Sequence, residues 1–136
     1  MSLVGHALKM AKIYYSTETF NHAMRVAAYV AENPLIPYGI MDDCIALAIM
    51  HDLWEDTKYP KEDTFLGEHI SRCLELLTKE NEQNYVEYID AIKSSADKCQ
   101  EAYWVKIADM KDHLSQTDTL TDKLKKKYLA TLAHLL

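Results

Sequence analysis

Apolar residues recur at spacings of three and four along most of the chain, and the stripes they form predict helices over roughly residues 3–14, 20–31, 40–53, 68–77, 85–96, 101–114 and 120–135. The interruptions carry suitable chemistry. Ser16, Thr17 and Thr19 offer N-caps to the second helix, Asn33-Pro34 and Pro37-Tyr38-Gly39 punctuate its end, and Tyr59-Pro60 closes off the third. No internal repeat, low-complexity tract or linker divides the pattern. The expected fold is all-α: one compact helical bundle of six to seven helices spanning residues 1–136.

Composition narrows this picture without changing it. A chain of 136 residues suffices for one core and is short for two. Only 3 Gly and 3 Pro are present, which disfavours a turn-rich sandwich or barrel. Cys44, Cys73 and Cys99 are odd in number and widely spaced, so they read as free thiols rather than as a disulfide framework or a cysteine zinc site. With no leader-like start and no apolar run long enough to span a bilayer, the expectation is a cytoplasmic protein without a membrane partner. The net charge of −6 argues against binding a nucleic-acid polymer, which needs a broad basic surface, but leaves room for a small phosphorylated ligand.

Polar residues standing where apolar ones are due carry the chemistry. In the third stripe Met41, Cys44, Ile45, Ala48 and Ile49 face inward, and His51 and Asp52 continue that face. Glu55 and Asp56 follow one turn later if the helix runs on; otherwise they belong to a solvated turn. His22 flanks the inner side of the second helix, over Val26 and Val30. Asp109 takes an inward position after Ala102 and Val105. Taken singly, such a histidine or aspartate is usually a satisfied boundary residue or a surface neighbour of Lys106 or Lys111. One His, one His-Asp pair and one Asp on three helices nevertheless make a plausible four-ligand set for a divalent ion, and carboxylates turned inward require a compensating cation. Asp112, three residues past Asp109, is expected to be dispensable.

The order His, His-Asp, Asp resembles the HD-domain metal-dependent phosphohydrolases, an all-helical superfamily. The segment from His51 to Thr57, His-Asp-Leu-Trp-Glu-Asp-Thr, is similar to the His-Asp-x-x-Glu-Asp-Thr box of the RelA/SpoT-type ppGpp hydrolase domains, including their small stand-alone forms. Phe20-Asn21-His22 with Val26-Ala27 resembles the first-histidine helix of that family. Val105 to Asp109 resembles its Val-Lys-Leu-Ala-Asp segment, and Tyr85 and Tyr88 its paired tyrosines. Islands of similarity thus run from about Lys12 to Leu114. Departures fall where the family binds nucleotide: Tyr14 to Thr19 replaces a basic, glycine-containing approach, Ala23 a proline, Met110 an arginine and His113 an asparagine.

The resemblance implies metal ligation by His22, His51, Asp52 and Asp109, and a water-orienting or proton-accepting role for Glu55 and Asp56. Two imidazoles and two carboxylates suit a six-coordinate ion, manganese first, with iron, cobalt or magnesium as alternatives. Lys106, Lys12, Arg25 and Lys58 are the cations expected to meet phosphate oxygens, and Tyr14 and Tyr15 are candidates for a base pocket. The implied activity is hydrolysis of a nucleotide, such as release of 3′-pyrophosphate from a (p)ppGpp-like alarmone. A 5′-nucleotidase or related phosphohydrolase and a non-catalytic nucleotide-binding module are the competing readings. The stripe through Leu120, Leu124, Tyr128, Leu132 and Leu135 is expected to close the core, or in part to serve a homo-oligomer.

Overall fold

The computed structural model describes residues 1–136 and is all-helical, without strands. Its helices are α1 (Leu3–Tyr14), α2 (Thr17–Glu32), α3 (Met41–Met50), α4 (Leu53–Asp56), α5 (Gly67–Leu77), α6 (Tyr85–Ser94), α7 (Gln100–Ser115) and α8 (Asp122–Leu135). Short 3₁₀ turns, Tyr38–Ile40 and Thr64–Leu66, precede α3 and α5. Side-chain caps set several starts: Ser2, Ser16, Asn84 and Thr121 accept from backbone N–H groups in the first turns of α1, α2, α6 and α8. One hydrophobic cluster extends from Ala7 to Leu135.

α3 is the central element. It packs on α1, α2, α5 and α7, and Cys44 and Ala46 through Met50 are all buried, so the inner face is wider than the stripe of Met41, Cys44, Ile45, Ala48 and Ile49 suggests. α7 is buried over more than half of its residues, including Asp109, as its inward position predicts, and Glu101, Lys106 and Asp112, which the amphipathic reading does not anticipate. α8 lies on the outside against α6 and α7. Only its Thr131 and Leu135 are buried, while Leu124, Tyr128 and Leu132 remain half-covered.

The predicted third helix, 40–53, ends early. Its last carbonyls are taken by side chains instead of by the following turn: His51 Nδ1–H donates to Ala48 O at 2.6 Å, and the Tyr15 hydroxyl donates to Ile49 O at 2.6 Å. Asp52 then sits at φ −101°, ψ 0°, in the sparsely populated bridge region. The chain resumes a single helical turn, α4, and stops when Thr57 Oγ1 donates back to Leu53 O at 2.6 Å. His51 and Asp52 therefore occupy the joint between two helical pieces. No helix is long and apolar enough to cross a membrane.

Candidate metal centre

Four expected ligands, contributed by α2, the α3–α4 joint and α7, converge. His22 Nε2 lies 3.0 Å from Asp109 Oδ1 and 3.8 Å from Asp52 Oδ2; His51 Nε2 lies 3.3 Å from Asp52 Oδ2 and 3.4 Å from Asp109 Oδ1. Donor atoms around an ion with bonds of about 2.1 Å are about 3.0–3.4 Å apart along the edges of an octahedron or tetrahedron, so these separations are close to those of a shared coordination sphere.

The imidazole orientations test the fit. His51 is buried, and its Nδ1–H is committed to Ala48 O, which leaves Nε2 as the nitrogen aimed at the carboxylates. That Nε2 is buried and makes no hydrogen bond, because its neighbours stand at the wrong angles. A buried polar atom without a partner is costly, and this one faces two carboxylates across a gap. His22 shows the complementary arrangement: its Nδ1–H donates to Asp112 Oδ2 at 2.6 Å, which turns Nε2 inward. A metal-binding histidine is usually oriented in this way through its other ring nitrogen. The donor set fits a divalent ion.

Charges around the cluster are balanced locally. Burial alone would raise the Asp109 carboxyl, but Lys106, His51, His113 and His22 overcome it and hold the group well below the usual carboxylate range. Burial alone would lower His51, yet Asp52 and Asp109 push it up to about 9. His22 is likewise raised, with Asp109 overcoming desolvation. The Lys106 ammonium and the raised His51 imidazole thus supply positive charge that the inward carboxylates demand.

Neither protein-family models nor curated proteins match this chain.

Glu55 and Asp56 lie at the rim, exposed, on α4. Burial, then the charge of Asp52, pushes both carboxyls up. Asp56 faces a cavity of about 490 Å³ that also exposes His22, Asp52, Arg25 and His113. Glu55 faces a smaller one of about 160 Å³, shared with His51, Lys106, Tyr85 and Tyr128. The two cavities meet at Asp52 and His113, on either side of the cluster.

The expected phosphate-binding cations fare unequally. Lys106 is buried beside the cluster, but its ammonium donates to Asp109 Oδ2 at 3.0 Å and sits 4.9 Å from the Tyr88 ring. Arg25 lines the larger cavity while its guanidinium donates to both Asp112 oxygens, at 2.8 and 3.1 Å. Lys12 and Lys58 are exposed and line neither cavity, so the structure does not bring them to the site: Lys12 lies in the last turn of α1, and Lys58 follows Thr57, the C-cap of α4. Tyr14 and Tyr15 form no base pocket. Tyr14 packs edge-on against Tyr59, and the Tyr15 hydroxyl, besides donating to Ile49 O, accepts the Asp52 N–H at 3.3 Å and so fixes the joint.

Three residues escaped the sequence reading. Asp112, expected to be dispensable, is fully buried and bridges Arg25 to His22. His113 places Nε2 3.2 Å from Asp109 Oδ1 and packs its ring between those of His22 and Tyr128. Lys127 of α8 reaches the smaller cavity, 4.1 Å from the Tyr85 ring. The spacing of Asp109, Asp112 and His113 at i, i+3 and i+4 was the available signal for the first two. Nothing in a lysine-rich outer helix marks Lys127.

Proposed function

We propose that this protein is a cytoplasmic metal-dependent phosphohydrolase of the HD type acting on a phosphorylated nucleotide, with a (p)ppGpp-like alarmone as the first substrate to test and manganese as the first metal. The observation that carries the proposal is the buried, unpaired His51 Nε2, aimed with His22 Nε2 at Asp52 and Asp109. The extended box from His51 to Thr57 supports the substrate class by resemblance.

An ion held by His22, His51, Asp52 and Asp109 would lower the pKa of a bound water and polarise a phosphoryl oxygen. The protein's own groups supply the rest. Glu55 and Asp56, with carboxyls raised by burial and by Asp52, are suited to accept a proton at the rim. His113 borders both cavities and can donate to a phosphate oxygen arriving from either. Lys127 is the cation of the smaller cavity that has no carboxylate partner, whereas Lys106 is committed to Asp109. Tyr85 and Tyr128 offer ring surface in the same cavity for a base or sugar.

The test is metal-stripped protein reloaded in turn with Mn²⁺, Fe²⁺, Co²⁺ and Mg²⁺ and offered ppGpp, nucleoside triphosphates and monophosphates. Pyrophosphate released from ppGpp supports the alarmone reading. Orthophosphate released from a monophosphate moves the protein to the 5′-nucleotidases. No product with any ion overturns hydrolysis, and a nucleotide-dependent rise in Tm would then identify a binding module.

A further inference from the structure

A second group of metal-binding side chains meets where α5 packs on the start of α7. His69 and Cys73 stand four residues apart on one face of α5, while Cys99 is the N-cap of α7 and Glu101 lies in its first turn. A ring nitrogen of His69, Cys73 Sγ and Cys99 Sγ all lie within 4.8 Å of one another. His69 Nε2 is 3.7 Å from Cys73 Sγ and 2.7 Å from Glu101 Oε2. Tetrahedral zinc, with bonds of about 2.0 Å to nitrogen and oxygen and about 2.3 Å to sulfur, spaces N and S by about 3.6 Å and two sulfurs by about 3.8 Å. The nitrogen–sulfur edge is already in place, and Glu101 is held against the same His69 nitrogen.

Burial adds an independent argument. Cys73 is 0%, Cys99 1% and Glu101 5% exposed, yet the sole hydrogen-bond partner of the Glu101 carboxylate is the half-exposed His69. A carboxylate withdrawn from water and compensated by one solvated imidazole sits beside two soft sulfur donors, a combination that favours a thiophilic cation. His69, exposed on its outer edge, leaves a route from solvent. The linear sequence hides the set, because its cysteines come singly from two elements rather than as Cys-x-x-Cys.

We propose that His69, Cys73, Cys99 and Glu101 form a structural zinc site that staples α5 to α7, separate from the His–Asp cluster. Four protein donors close the coordination sphere, as structural rather than catalytic zinc requires. The site holds the N-terminal end of the helix that carries Lys106, Asp109 and Asp112.

Co²⁺ titrated into full-length, metal-stripped protein under a phosphine reductant tests this directly. Sulfur-to-cobalt charge transfer in the near ultraviolet reports thiolate ligation, which the nitrogen and oxygen donors of the first cluster cannot give. The expected result is a charge-transfer band that saturates, is bleached by Zn²⁺, and disappears in Cys73→Ser and Cys99→Ser. Those two variants alter buried positions. His69→Gln alters a half-exposed one and should keep the native circular dichroism while weakening Co²⁺ affinity by about tenfold or more. No band in the wild-type protein overturns the site, as does unchanged affinity in a folded His69→Gln.

Discussion

At the scale of single residues, Asp112 shows how much a buried partner matters. Removing it strands the Arg25 guanidinium and frees His22 to rotate, because its carboxylate holds both. Asp112→Ala should therefore lower metal affinity by about 10- to 100-fold, as loss of a ligand-orienting group does, measured by calorimetric titration of Mn²⁺. Affinity equal to wild type would reinstate the expectation that Asp112 is dispensable. Asp109→Ala should abolish binding altogether and leave the buried Lys106 ammonium unpaired, at a cost of about 3–5 kcal/mol in denaturant titrations. For Glu55, at the rim and away from the converging donor atoms, the expected outcome differs. Glu55→Gln should leave metal content unchanged and reduce turnover by about 10²- to 10⁴-fold, the usual range for a lost proton acceptor. The inward placement of His22, His51, Asp52 and Asp109 was legible in the sequence, because His51, Asp52 and Asp109 stand on apolar stripes and His22 flanks one. Asp112 and His113 were not, since an acidic and a basic residue near a helix end read equally well as solvated.

At the scale of elements, helix existence followed from hydrophobic period, whereas the break at His51 depended on where side-chain donors go. Tyr15 lies 34 residues from the carbonyl it captures, beyond any local pattern. A second long-range tether fixes the connection between α4 and α5. Asp63 accepts from the Tyr59 hydroxyl, from the Phe65 N–H at 3.0 Å and from His6 Nε2–H of α1 at 2.6 Å, and His6 stacks on Phe65. Burial would raise the Asp63 carboxyl, but these donors hold it below its ordinary value of 3.8. A carboxyl depressed in the folded state contributes stability above its unfolded pKa, and that contribution disappears as pH falls through the folded one. Unfolding free energy should accordingly drop as pH is lowered below about 4, and Asp63→Asn should flatten that part of the profile. At pH 7 the same variant should cost about 1–2 kcal/mol by urea denaturation, reflecting hydrogen bonds to a charged acceptor. An unchanged acid limb in Asp63→Asn would show that another carboxylate controls it.

At the scale of the whole molecule, the fold gathers carboxylates in a chain of net charge −6, so an added cation should act on the stability of the entire bundle. With Mn²⁺ at about 100 times its Kd, unfolding free energy should rise by about 2.7 kcal/mol, and a chelator should reverse the gain. Asp109→Asn should show neither response. The all-α class and the single run of core from α1 to α8 were readable in advance; the burial of α7 on several faces was not, because Glu101, Asp109 and Asp112 are satisfied by partners from other helices. Those partners are remote along the chain: His22 meets Asp109 and Asp112 across 87 and 90 residues. Contacts separated by so much chain carry a large loop-closure cost and tend to consolidate late. The candidate metal centre should thus be absent from the rate-limiting barrier, and Mn²⁺ should leave the refolding limb of a chevron unmoved while slowing unfolding. The cluster becomes a kinetic latch, closing only after the bundle has assembled.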